Sequence, residues 1–321
     1  MFATMPTIRL SLGLALVATA LTAAYLMHAT PSGVPPTPTQ NSSPSAAASS
    51  PLPAPQQAST PVAAPATLNA VGSTTQELAN PLERSEDLRA IYDRFKDSRV
   101  GLERQMAYRA WSACFPTLIA PQGQPISIES LTRALPPNDP HIALRVEAYR
   151  NLQARCRNFS ELTREQTLSA TRRQQEAPHH GDLFSPGELA AQHLSDGNKE
   201  AALMVARAVI ASRDPFAVGS LREFIQRYLV LQVDAQMTAG AERPDLRALA
   251  FTLAACQLGL ECGPASLTAL QLCASLGQCA GGVVDRYLQA LPDPADREAA
   301  QAESRRVVQA VQSNDFGALG L

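Results

Sequence analysis

Two cysteine pairs in succession, Cys256 with Cys262 and Cys273 with Cys279, constrain this chain more than any other feature. Each pair encloses five residues, one of them a glycine, Gly259 or Gly277. Glycine enters the left-handed region at low cost and so commonly stops a helix. Each pair therefore reads as a cysteine in a last helical turn, a stop, and a second cysteine just beyond it. That reading limits the pairings. Cys262 and Cys273 would sit at opposite ends of one helix, roughly 16 Å apart. A disulfide needs its Cα atoms within about 7 Å, so this pair cannot close, and Cys262 with Cys279 fails for the same reason. Cys256 with Cys273 would join one helix end to the far end of an antiparallel neighbour. The local pairs need only a tight turn. The sequence thus predicts Cys256–Cys262 and Cys273–Cys279, leaving Cys114–Cys156 as a third bridge. In the chain-entropy view that long loop contributes about 4 kcal/mol.

The rival use of these cysteines is metal binding. Spacings of five, ten and five residues do not match the close Cys-x-x-Cys type of pair that zinc sites use. No Cys-x-x-Cys redox motif occurs either. Neither a metal nor a cofactor is expected.

Disulfides persist where the compartment is oxidising, and the N-terminus supplies a route to one. Arg9 precedes an apolar run from Leu10 to Met27, 18 residues interrupted only by Ser11, Gly13, Thr19 and Thr22. Such a length just reaches across a bilayer core. Residues 1–29 are therefore expected to be a signal-anchor, with the basic end cytoplasmic and the remainder outside. The alternative is a signal peptide cleaved after Ala20 or Ala24. Residues 30–72 read as a disordered linker. Thr30 to Leu68 holds ten prolines and no Asp, Glu, Lys or Arg. It cannot bury enough apolar surface to fold, and it would extend to a reach on the order of 100 Å. The expected location is an inner-membrane anchor with the folded domain in the periplasm, or a cleaved, periplasmic or secreted form.

Residues 73–321 carry helical periodicity throughout. Ser85 is expected to cap a run whose face holds Leu88, Ile91, Tyr92 and Phe95. Trp111, the only tryptophan, is assigned to the core. Asp139-Pro140, Asp214-Pro215 and Asp293-Pro294 each look like an N-cap followed by a first-turn proline. The first opens a helix with the stripe Ile142, Val146, Tyr149 and Leu152; the second runs to about Gln232. Their spacing of 75 and 79 residues hints at repeated units. Thr163 to Gln166 and Ser185 to Glu188 have capping-box spacing. Gly263-Pro264 opens the helix carrying Cys273. No segment alternates apolar and polar residues like a strand. The expected fold is all-α: an irregular bundle or degenerate solenoid of short antiparallel helices, stapled by disulfides.

Chemistry is sparse. The net charge of −2 excludes the basic footprint of a nucleic-acid binder. All basic residues except Lys96 and Lys199 are arginine, which reads as coding bias. His179, His180 and Asp182 fall in an expected loop that reads as solvated. His193 on the next helix and His141 in a first helical turn offer no complete ligand set. Glu129-Ser130 at a helix start resembles the Glu-Ser pair of lytic transglycosylases, which cleave peptidoglycan from an all-α fold. The resemblance covers those two residues, and the Gly-Leu-Met-Gln type segment of that family is absent, so no catalytic role is carried over. No nucleophile elbow, His-Glu-x-x-His, P-loop or dinucleotide fingerprint occurs. The sequence therefore predicts a binding or scaffold module of the cell envelope without catalytic activity. Its expected partner is an envelope protein or cell-wall component. An all-α cell-wall hydrolase is the alternative.

Overall fold

The computed structural model describes residues 74–121, 123–176, 185–236 and 243–321. The anchor and linker segments, and His179, His180 and Asp182, lie outside the described residues. Among those described, no helix is long and apolar enough to cross a membrane. The described chain is helical, with a single isolated bridge between Ile119 and Pro125 and no strand.

Two main hydrophobic cores organise the helices. The first draws on α1 (Asn80–Arg84), α2 (Leu88–Phe95), α3 (Gly101–Ser112), α4 (Ile128–Arg133), α5 (Ile142–Cys156) and α6 (Arg164–Glu176). A π-helical turn, Thr75–Ala79, leads into α1. Aromatic rings fill the centre of this core. Trp111, 2% exposed, stacks on Phe115 with ring centroids 3.9 Å apart and meets Phe159 edge-on at 5.5 Å. Tyr92 lies 5.3 Å from Trp111. Such pairs add to the burial of the rings. The Cys114–Cys156 bridge, with Cα atoms 5.6 Å apart, closes the same core.

The second core comprises α7 (Pro186–Ser195), α8 (Lys199–Ser212), α9 (Pro215–Ser220), α10 (Arg222–Gln236), α11 (Pro244–Gln257) and α14 (Pro294–Ser313). Alanine and valine dominate it, with Phe224 and Phe251 as its fully buried phenylalanines. Small side chains let the backbones approach closely. A Cβ on Gly187 would lie 1.9 Å from the Ser220 carbonyl oxygen, so no other residue fits there without a shift.

The chain crosses between the cores after α11. Helix α12 (Leu267–Leu276) leaves the second core and packs on α5 of the first. The two run antiparallel: Arg145, early in α5, donates to the carbonyls of Ala274 and Ser275, both at 2.9 Å. Arg155, late in α5, reaches Ala265 before α12 begins, at 2.6 Å. Helix α13 (Val283–Gln289) then covers α12, and its Leu288 joins a minor cluster with Leu246, Leu249 and Leu253 of α11.

Local signals set most helix ends. Ser185 accepts from the Glu188 amide and the Glu188 carboxylate accepts from the Ser185 amide, closing a capping box. Thr163 and Gln166 make the same reciprocal pair. Asp214 and Asp293 cap α9 and α14.

Several expectations are corrected. Asp87, not Ser85, caps α2, accepting from the amides of Arg89 and Ala90. Asp139 caps nothing. It accepts from the His141 amide at 2.8 Å and pairs with Arg145, and α5 starts only at Ile142. The buried stripe of α5 is accordingly Arg145, Ala148, Tyr149, Leu152 and Cys156, while Ile142 is exposed. The three Asp-Pro steps, 75 and 79 residues apart, therefore do not share one capping role. The helix from Pro215 breaks at Leu221, where the backbone sits against Gly187. Ser266, not Gly263, opens α12.

Candidate functional site

The crossing between the cores is also where polar side chains gather. The six cysteines pair as Cys114–Cys156, Cys256–Cys262 and Cys273–Cys279, and the described residues hold no free thiol. The two short bridges share a plan. Gly259 and Gly277 both have positive φ, and each amide donates back to the preceding cysteine of its pair, Gly259 to Cys256 and Gly277 to Cys273. Their surroundings differ. Cys273 is buried in the first core, at the end of α12. Cys256 and Cys262 are half-buried and line a cleft.

The short helix α1 clamps this turn. Asn80, 3% exposed, donates from Nδ2 to the Gly259 carbonyl at 3.1 Å and accepts at Oδ1 from the Glu261 amide at 2.7 Å. One side-chain amide thus satisfies both a donor and an acceptor of the turn. Three residues on, Glu83 is 1% exposed and fully engaged. Its carboxylate accepts from the Thr268 amide at 2.8 Å, the Thr268 hydroxyl at 2.9 Å and Arg109 Nη2 at 2.9 Å. The first of these places negative charge at the N-terminus of α12, where it is favoured. Arg84 pairs with Glu261 at 2.5 Å. That guanidinium, and then the Gly263 amide, hold the Glu261 carboxyl below the usual carboxylate range. Upstream, the Thr75 amide donates to Asp214, and the Thr75 hydroxyl accepts from the Phe216 amide, tying the start of the described chain to α9.

The cleft beside this clamp has a volume of about 350 Å³. Its walls come from both cores: Gln105 and Arg109 of α3, Glu188 of α7, Phe216 and Gly219 of α9, and Arg222 and Glu223 of α10, with the Cys256–Cys262 bridge along one side. Arg109 lies over the Phe216 ring at 5.5 Å while pairing with Glu83. This arrangement presents hydrogen-bonding groups and both signs of charge on a partly apolar surface. Among the described residues of its lining there is no histidine. Glu83, its most buried carboxylate, is held by three donors.

Residues singled out in the sequence lie elsewhere. Glu129 is 82% exposed and pairs with Arg133 at 2.9 Å on the surface of α4, outside the lining of this cleft. Ser130 is exposed beside Ser127. His141, expected in a first helical turn, lies just before α5, and His193 lies on α7; both are half-buried, with His141 Nε2 3.4 Å from Gln289. No group of three or more metal-ligating side chains occurs among the described residues.

Two of the arginines serve the fold directly. Arg145, 7% exposed, and Arg286, 5% exposed, bury their guanidinium groups against helix ends. Arg286 donates to the carbonyls of Gly281, Ala269 and Pro264, framing both turns of the crossing. A planar, five-donor fork can satisfy several carbonyls at once, which lysine cannot do with the same geometry. Asn80, Glu83 and the cleft leave no local sequence motif. The available signal is only that polar residues occupy the buried face of a five-residue helix.

No protein-family pattern, curated protein or solved structure matches this chain.

Proposed function

We propose that the protein is an exported, membrane-tethered binding module of the cell envelope without catalytic activity, and that it engages its partner at the cleft between the two cores. The observation carrying this reading is the cleft itself. It is lined from both cores, and its most buried carboxylate is already committed to holding α12. A binding pocket combines apolar walls with a few placed polar groups, and this one does. Three disulfides in the folded part suit an oxidising compartment. The apolar run Leu10 to Met27 and the proline-rich linker suit a domain held away from a membrane.

Thiol labelling in intact cells tests the location. The full chain in its native cell should resist a membrane-impermeant maleimide, then react after treatment with a membrane-impermeant reductant, without lysis. Free thiols in a soluble cytoplasmic protein would overturn the reading.

A further inference from the structure

The cleft holds two polar groups and one cation that the fold leaves unanswered. Gln105 is 6% exposed and lines the cleft. Its Nε2 donates to Glu188 Oε2 at 3.2 Å, but its Oε1 is buried with no hydrogen-bond partner among the described residues. Buried polar atoms are nearly always paired, so an orphan in a cleft wall calls for a donor. Glu188 accepts only from neutral groups, the Ser185 amide at 2.8 Å and Gln105. No cation among the described residues pairs with it, unlike the other carboxylates of the lining. Glu83 is answered by Arg109, Glu223 by Arg227 at 2.5 Å, and Glu261 by Arg84. Arg222 shows the converse. Its guanidinium lies over the Tyr287 ring at 5.2 Å, it lines the same cleft, and no carboxylate among the described residues pairs with it.

We propose that the cleft binds a small zwitterion of the amino-acid or short-peptide class. Its primary ammonium sits on Glu188 and Gln105 Oε1, and its carboxylate on Arg222. An ammonium carries three donors and can meet a carboxylate and an amide oxygen together. A guanidinium presents paired donors that match a carboxylate. One ligand with both ends would satisfy the orphan oxygen and both unpaired charges. This assignment rests on the cleft being the binding site.

Calorimetric titration of the full chain, disulfides intact and in detergent micelles, tests it with 5-aminopentanoate, pentylamine and pentanoate. The zwitterion should bind saturably and about tenfold or more tighter than either single-charge probe. Glu188→Gln keeps an acceptor for the capping box, so α7 should still form. It should weaken 5-aminopentanoate and pentylamine about tenfold while leaving pentanoate unchanged. Arg222→Gln should do the reverse, and Gln105→Met should weaken the two amines. Circular dichroism and thermal melts check that each variant folds. Alanine and the dipeptide Ala-Ala then separate a free amino acid from a peptide. No saturable binding of any zwitterion, equal binding of all three pentyl probes, or unchanged zwitterion affinity in both charge variants would overturn the assignment. If zwitterions fail while cleft-dependent cross-links persist in cells, only the ligand class is wrong. If both are absent, the binding-module reading falls as well.

Discussion

The two cores solve the same packing problem with opposite materials. The first is built around Tyr92, Trp111, Phe115 and Phe159 and is crossed by the Cys114–Cys156 bridge. The second relies on Ala190, Ala202, Ala206, Ala250 and Ala254, each fully buried, and on backbones brought together at Gly187. Large rings fill the first core, so its weakness is a missing ring. Small residues hold a core whose helices nearly touch, so its weakness is an added atom. The difference also explains the staples. All three bridges lie within the first core or at the crossing into it, whereas the second core closes without one.

Opposite changes should therefore break the two halves. Trp111→Ala empties the centre of the aromatic cluster and should destabilise the protein by about 3–5 kcal/mol, read from the denaturant midpoint. A loss below about 1 kcal/mol would show that the rings do not carry this core. In the second core the damaging change is an insertion. Gly187→Ala drives a methyl into the Ser220 carbonyl and should cost about 1–3 kcal/mol. A neutral outcome would mean that α7 and the α9–α10 junction can separate freely.

Acid should act on the first core where α5 meets α12. The His141 amide, and then the Arg145 guanidinium, hold the Asp139 carboxyl below the usual carboxylate range. A carboxylate lowered by folding adds stability that is complete above its unfolded value, about 3.9 for Asp, and is lost as the pH falls through the folded value. The wild-type midpoint should drop on acidification below about pH 4. Asp139→Asn should start lower at neutral pH and show a shallower acid limb. Parallel limbs in the two proteins would remove Asp139 from the account.

What could be read in the sequence follows how far a residue's partner lies along the chain. The capping boxes at Thr163 and Ser185, the caps at Asp214 and Asp293, and the glycine stops at Gly259 and Gly277 all bond within a few residues, so local pattern suffices. Asn80 and Glu83 do not. Their partners at the crossing lie 179 to 185 residues away, and nothing beside them in sequence marks that contact. Asp139 misleads for a related reason: its proline and spacing suggest a cap, but Arg145 claims its carboxylate. On α5, Tyr149 and Leu152 of the expected stripe are buried, but Arg145 rather than Ile142 occupies the start of that face. The cleft was not legible, because its walls come from helices of both cores and the crossing that joins them exists only after folding. Glu188 is visible as a capping residue, yet its contact with Gln105, 83 residues earlier, is not.

The central claim is that the cleft between the cores is the working surface. Site-specific photo-cross-linking in the native cell tests it most directly. The full chain would carry a photoreactive residue at Gln226, on the exposed rim of the cleft, or at Glu129, exposed on α4. The account predicts a discrete adduct from position 226 that disappears when Thr252→Trp fills the cleft, and none from position 129. Equal adducts from both positions, or an adduct at 226 indifferent to Thr252→Trp, would contradict it.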